Sequence, residues 1–213
     1  MNPLEMIDMN NMQESNNTFG VTVAKVINNK DDPEKIGRVQ IEFPGRGKPD
    51  NIWAWVVSPM AGNNKGFFFL PDVDDAVLVA FEHGDINQPY ILGVLWNEKD
   101  KPPGKNQNGE NNIKMLRSRS GHVIRMDDTK GKEKIEIIDK SENNKIIIDT
   151  AENKISIISK KDIEISAPAG KLTITAKEIE VTSSTTAKIE ANAGMDLNAS
   201  GNITIKGALV NIN

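Results

Sequence analysis

The side chains able to do chemistry are few and unevenly spaced. Four aspartates, Asp127, Asp128, Asp139 and Asp149, close successive short apolar–polar segments in the second half of the chain. Carboxylates repeated at matching places could hold a cation, or act as the acid and base of glycan cleavage. The series stops there, because the later equivalent places carry Ser159 and Ser166. Solvated carboxylates beside Lys134, Lys140 and Lys145 are the simpler reading. The two histidines, His83 and His122, lie in different halves and have no second ligand at metal spacing. Nothing near His122, which follows Ser120-Gly121, completes a Ser-His-Asp arrangement. No catalytic residue, cofactor or metal ligand is therefore expected. Trp53, Trp55, Phe67, Phe68 and Phe69 could stack on single-stranded nucleic acid, but no basic stripe accompanies them. Packing in a core or against another subunit accounts for them better.

The elements that carry these residues divide the chain in two. All aromatic residues lie between Phe19 and Trp96, and nine of the ten prolines precede Gly104. The change falls in the polar run Lys99-Asp100-Lys101-Pro102-Pro103-Gly104-Lys105-Asn106, which reads as a linker. Four regions are expected: an N-terminal arm at 1–18, a barrel domain at 19–98, a linker at 99–112 and a repeat at 113–213. In the arm, Leu4, Met6, Ile7 and Met9 are the contacts available to a partner. From Phe19 onward, alternating segments such as Gly37-Arg38-Val39-Gln40-Ile41-Glu42-Phe43 and Ala76-Val77-Leu78-Val79-Ala80-Phe81-Glu82 are separated by turn signals. Five or six strands in so short a span, with no helical period, predict a small closed barrel of the Greek-key OB type.

The 213-residue chain is 38% apolar and 26% charged, which fits one or two folded domains. Its net charge of -4 gives no reason to expect nucleic acid. No run approaches the length of a membrane-spanning helix, and Met1 to Asn17 has no apolar core of the kind a secretory signal needs. With no cysteine, disulfides and thiolate metal sites are excluded.

The repeat is the most informative stretch. Lys134-Ile135-Glu136-Ile137, Lys145-Ile146-Ile147-Ile148, Lys154-Ile155-Ser156-Ile157, Asp162-Ile163-Glu164-Ile165, Lys171-Leu172-Thr173-Ile174 and Asn202-Ile203-Thr204-Ile205 share one pattern. Their apolar residues point to one face of a strand and the polar ones to the other. Strands so short cannot bury that face alone. The spacing of 6 to 11 residues between segments also does not suit the six-residue faces of a single-chain solenoid. Three chains around one axis solve both problems, so the fold expected is all-β, an OB barrel followed by an intertwined trimeric β-helix needle. The needle core is predicted as Ile135, Ile137, Ile146, Ile148, Ile155, Ile157, Ile163, Ile165, Leu172, Ile174, Ile203 and Ile205. Smaller inward residues near the end, Ala191 and Ala199, predict a taper. Layers of roughly 4.8 Å give a needle about 50 Å long.

The ordered series Gly37-Arg38-Val39-Gln40-Ile41-Glu42-Phe43-Pro44, Trp55-Val56-Val57, Gly66-Phe67-Phe68-Phe69-Leu70-Pro71, Val77-Leu78-Val79-Ala80-Phe81-Glu82-His83-Gly84-Asp85 and Gln88-Pro89-Tyr90-Ile91-Leu92-Gly93 resembles the OB-fold domain of contractile-tail spike proteins. That family includes the VgrG proteins of type VI secretion and the baseplate protein V spikes of phage tails. Leu116-Arg117-Ser118-Arg119-Ser120-Gly121-His122-Val123-Ile124 and the run Asp127–Glu133 resemble the start of the β-helix in those proteins. Unlike family members with a fused hub, only about 18 residues precede the barrel. Nothing of lysozyme size separates barrel from needle, and the C-terminus lacks the His-x-His pair that holds iron in some phage spikes.

The resemblance implies a minimal, non-enzymatic spike that pierces a target membrane. Its implied partners are two further copies of itself, a separate hub at the barrel end and a PAAR-type tip protein at the C-terminal end. The tip would seat on Val210, Asn211, Ile212 and Asn213, where an uncapped apolar β end invites a cover. It would be assembled in the cytoplasm into a phage tail, tailocin, extracellular injection particle or type VI-like apparatus, and delivered into a target envelope. Two alternatives are a trimeric β-helical polysaccharide depolymerase and an OB-fold nucleic-acid-binding module. The repeat's lack of aromatics counts against the first, and the acidic balance against the second.

Overall fold

The structure, a computed structural model, describes residues 20–44 and 52–211. The arm expected at 1–18 and the terminal Ile212 and Asn213 lie outside the described residues. Strands β1 (Val21–Asn28), β2 (Val39–Glu42), β3 (Ile52–Val56), β6 (Ala76–Phe81) and β7 (Pro89–Leu95) close into a barrel in the order β1-β2-β3-β7-β6. All pairings are antiparallel except β3 with β7, where Trp55 lies opposite Tyr90 and Val56 opposite Ile91. A five-stranded Greek-key barrel with this order is an OB fold. The strand period of two sends Ala24, Val26, Val39, Ile41, Ala54, Val77, Val79 and Ile91 inward, where they are essentially fully buried. A short hairpin, β4 (Ala61–Gly62) with β5 (Lys65–Gly66), interrupts the connection from β3 to β6.

The β1–β2 connection is built around one ion pair. The Asp32 carboxylate accepts hydrogen bonds from the backbone N–H groups of Glu34, Ile36 and Arg38. It also accepts two from the Arg38 guanidinium, at 3.1 and 2.8 Å. Arg38 in turn lies about 6 Å from the ring centres of both Trp53 and Trp55. Burial opposes ionisation of Asp32, but the guanidinium and the three N–H donors prevail and hold its carboxyl well below the usual carboxylate range.

After a turn-rich segment, β8 (Ile113–Arg117), β9 (Val123–Asp127), β10 (Lys134–Ile138), β11 (Lys145–Asp149) and β12 (Lys154–Ile158) form a second sheet. Each strand pairs antiparallel with the next, so the sheet is a simple ladder. Each of its turns uses a residue in the left-handed region: Gly121 (φ +104°), Gly131 (+75°), Glu142 (+58°) and Asn153 (+51°). Arg119 in the β8–β9 turn reaches Asp72 of the barrel at 3.1 Å.

Residues 161–213 form a separate compact unit. Among its described residues none belongs to a strand and all are exposed. The segments around Ile163, Leu172, Ile179 and Ile203 have the strand pattern but no ladder partner among the described residues. A strand is defined by that partner, so the pattern alone does not make one.

Candidate functional site

The ladder fixes which side chains share a face. From β8 to β12, one row runs Lys114, Met126, Ile135, Ile148, Ile155, and the row beside it runs Leu116, Ile124, Ile137, Ile146, Ile157. Apart from Lys114 the face is purely aliphatic, and it is uncovered: exposures run from 41% at Ile148 to 69% at Ile155. The opposite face is mixed, its nine charged and polar residues interspersed with Ile113, Met115, Val123, Ile138, Ile147 and Ile158. Along its edge Asp127, Lys134, Asp149 and Lys154 oppose one another in alternating sign across four strands. At its centre Glu136, only 4% exposed, accepts hydrogen bonds from the Arg125 guanidinium, with the Lys134 ammonium 3.3 Å away. Among the described residues no buried side-chain polar atom lacks a hydrogen-bond partner. The uncovered apolar side chains are thus concentrated on one face, and the paired charges lie on the other.

The carboxylate series proves to be turn chemistry. Asp127 accepts from the Thr129 N–H at 3.0 Å, and Asp149 from the Glu152 N–H at 2.9 Å. Asp139 accepts from the Ser141 hydroxyl, the Asn144 N–H and the Asn144 side-chain amide. The Thr129 bonds hold the Asp127 carboxyl below its ordinary range, and the Ser141 hydroxyl chiefly does the same for Asp139. These aspartates are acceptors already in use, and no cluster of three metal-ligating side chains occurs among the described residues. His122 accepts the Lys140 N–H on Nδ1 at 3.2 Å, tying two turns together, whereas His83 sits exposed in the turn Glu82–Gly84.

Of the residues expected in the needle core, the ladder gathers Ile135, Ile137, Ile146, Ile148, Ile155 and Ile157 onto the single aliphatic face. Ile163, Ile165, Leu172, Ile174, Ile203 and Ile205 lie in the second unit and are exposed. Of the expected tip platform, Val210 and Asn211 are exposed, and Ile212 and Asn213 fall outside the described residues. Leu116, Ile124 and Met126 extend the face by two strands beyond the core set expected from sequence. They were legible, since Val123-Ile124-Arg125-Met126 alternates as the later segments do.

On the barrel, Phe67, Phe68 and Phe69 are 54%, 80% and 60% exposed, which removes them from the core and leaves the subunit-surface reading. They line one side of an open groove of about 590 Å³ with Ile36, Val57 and Met60.

The arrangement is an OB barrel followed, after a turn-rich segment, by an antiparallel ladder with one uncovered aliphatic face. Residues 22–96 match the family described as the type VI secretion system/phage-baseplate injector OB domain. The type VI secretion system spike protein VgrG4b of Pseudomonas aeruginosa is 31% identical over 112 residues, 48% of this chain and 14% of that protein. Spike protein VgrG1a of the same organism is 29% identical over 119 residues, 49% of this chain and 18% of that protein. The actin cross-linking toxin VgrG1 of Vibrio cholerae is 33% identical over 72 residues, 32% of this chain and 7% of that protein. The chain therefore spans less than a fifth of the length of these relatives. Over this OB domain and the strands that follow it, the chain is similar to VgrG-like baseplate spike proteins.

Proposed function

We propose that three copies of this chain form the central, non-enzymatic spike of a contractile injection system, with mechanical stiffness as its working property. The observation that carries the reading is the pair of aliphatic rows from β8 to β12, half-exposed in one chain, with the charged residues of the ladder on the opposite face. Fully burying one such side chain contributes roughly 1.5–3 kcal/mol, so covering the exposed half of nine of them gives on the order of 9 kcal/mol per chain before ordering costs. Three sheets set edge-on around an axis put the rows inside and leave the Asp–Lys edge and the Glu136 cluster in water. The strands then stack along the axis at about 4.8 Å per layer, with ladder hydrogen bonds running in the direction of thrust. Compression is resisted by every bonded layer at once.

The segments of residues 161–211 have the same pattern and no partner among the described residues of their own chain, which supports their pairing with the other two copies to extend the needle. A separate hub at the barrel end and a PAAR-type tip on Val210, Asn211, Ile212 and Asn213 complete the reading. The similarity to spike proteins of type VI secretion supports that setting. Assembly occurs in the cytoplasm into a baseplate or tail particle, and the needle is then driven into a target envelope. Sedimentation of the full chain tests the core of this: a mass of three chains is expected across the micromolar range. A folded monomer there overturns the proposal. Co-purification with a candidate hub and a candidate PAAR-type tip protein tests the two ends.

A further inference from the structure

One edge of the ladder is a column of charge whose sign changes at every strand. Asp127, Lys134, Asp149 and Lys154 oppose one another across β9 to β12. These strands are antiparallel, so the charged residue is by turns the last and the first of its strand. Asp127 ends β9, Lys134 begins β10, Asp149 ends β11 and Lys154 begins β12. Opposite signs on directly facing residues are the stabilising arrangement.

The later segments keep the change of sign but not the change of place. Their charges are Asp162, Lys171, Glu178, Lys188 and Asp196, each standing first in its segment, directly before the first apolar residue. The residues that close the same segments, Ser166, Thr175, Thr182, Asn192 and Ser200, carry no charge. Antiparallel neighbours would set each charge against one of these uncharged residues. Only parallel neighbours in register bring first residue to first residue. All five charged residues are exposed, and among the described residues Lys188 alone of the five has an ion-pair partner, Glu190 of its own segment.

We infer that these five charges pair between copies, forming on each face of the three-chain needle a column of alternating sign that fixes the register of the chains. This rests on the three-copy spike above. Under three-fold symmetry the three copies of one segment share a layer, one on each face, and none lies above another. No segment there has a ladder partner among the described residues of its own chain, so each chain moves to a new face at every step. The neighbour of a segment along the axis is then the next segment of a different copy, and all strands on a face run the same way. Asp162 of one copy meets Lys171 of another, which meets Glu178 of the third, and the order continues through Lys188 to Asp196. Layers about 4.8 Å apart put such side chains within ion-pair reach. A copy displaced by one segment meets like charge instead, so the alternation opposes a slippage that the similar aliphatic segments would tolerate. The like-charged neighbours Glu180 and Glu190, third in their segments, are offset by Lys188, which pairs with Glu190.

Three full-length variants and one labelling experiment test the pairing. Lys171→Glu sets three carboxylates in succession on every face, whereas Lys206→Glu makes the same change of charge at a closing position, next to the uncharged Ser200 in the layer before it. At low salt Lys171→Glu is expected to melt about 5 °C below Lys206→Glu. The gap is expected to close in about 1 M salt, where the screening length is about 3 Å. Adding Asp162→Lys and Glu178→Lys to Lys171→Glu restores opposite signs across the first three segments, leaving one like pair at Lys188, and is expected to recover most of the loss. Native chains, half of them isotopically labelled, are co-refolded and coupled with a carbodiimide. Lys171 is expected to be joined to Asp162, with about half of the joined pairs mixed in label. A Lys171→Glu trimer as stable as Lys206→Glu, a triple variant no better than the single one, or joined pairs never mixed in label overturns the pairing and leaves the spike standing. A native chain that sediments as a monomer removes the spike reading and the pairing together.

Discussion

Ile146 and Ile147 are neighbours in β11 with opposite faces, and they separate a covered sheet from a bare one. Ile146 stands in the aliphatic row between Ile137 and Ile157 and is 42% exposed in the single chain. Ile147 stands on the opposite face between Glu136 and Ser156. If the chain works alone, truncating the more exposed Ile146 costs less than truncating Ile147, by the simple area rule. If three copies meet at the aliphatic rows, Ile146→Ala opens a cavity in a closed core. Such truncations cost about 2–5 kcal/mol at each site, and three symmetry-related sites meet in one layer. The expected loss is then on the order of 6–15 kcal/mol per trimer. At 1.4 kcal/mol per tenfold, that weakens assembly by at least four orders of magnitude. Ile147→Ala is expected to leave assembly within about tenfold of the native chain. Sedimentation equilibrium from nanomolar to micromolar concentration reads both variants, and thermal melting at two concentrations checks that loss of order follows dissociation. Equal effects of the two variants, or a larger one for Ile147→Ala, would refute the covered-face argument.

Two further predictions concern the barrel. Asp32→Asn removes the charge that five hydrogen bonds converge on, and is expected to cost about 2–3 kcal/mol, read as a lower melting temperature of the native-length chain. Because the folded Asp32 carboxyl titrates below its unfolded value, its stabilisation is complete above about pH 4 and fades only as pH falls further, so the gap between native and variant narrows below that point. Gly66→Ala forces a Cβ against the Met60 oxygen at a φ that side chains rarely adopt, and is expected to cost about 1–3 kcal/mol and to loosen the Phe67–Phe69 edge. Faster hydrogen exchange at the Phe67 amide is the local signature, and unchanged exchange there speaks against that strain.

How much of this was legible beforehand depended on whether a residue's role is local. The barrel strands could be read because Val39-Gln40-Ile41-Glu42 and Ala76-Val77-Leu78-Val79 alternate, and alternation reports a half-buried strand directly. The apolar side of each repeat was legible for the same reason. The five-bond acceptor role of Asp32 was not, because the Asp-Asp-Pro run reads only as a turn until Arg38 folds back on it. The aspartates at 127, 139 and 149 looked like a series because the repeat places one after each strand. That regularity comes from the turn each must close, not from a shared ligand. Exposure of the Phe67–Phe69 run was also hidden, since three consecutive phenylalanines look the same in a core or on a surface. Only the loop geometry, with the Ser58 hydroxyl bonded to the Met60 and Phe67 carbonyls, shows the run held outward.

The last prediction follows from where pairing within the chain stops. Every turn from β8 to β12 has its own left-handed residue, and each strand finds its partner in the strand just before it. Contacts so local set register cheaply and early, because closing a short loop costs little entropy. Beyond Ile158 no such partner exists among the described residues, so an extended needle there needs strands from other copies already brought into register. On the three-copy reading the ladder is the element able to do that, since its aliphatic rows would bring three chains to one axis before the later segments pair. A chain ending at Lys160 keeps the barrel and all five ladder strands, and is expected to assemble as a trimer, though with lower thermal stability than the native length. A peptide of residues 161–213 is expected to show no cooperative β structure and no defined mass above the monomer. Circular dichroism and light scattering on the two pieces decide the matter. If the peptide trimerises by itself and the longer piece stays monomeric, the order of assembly is the reverse, and the uncovered rows of β8 to β12 need a different occupant.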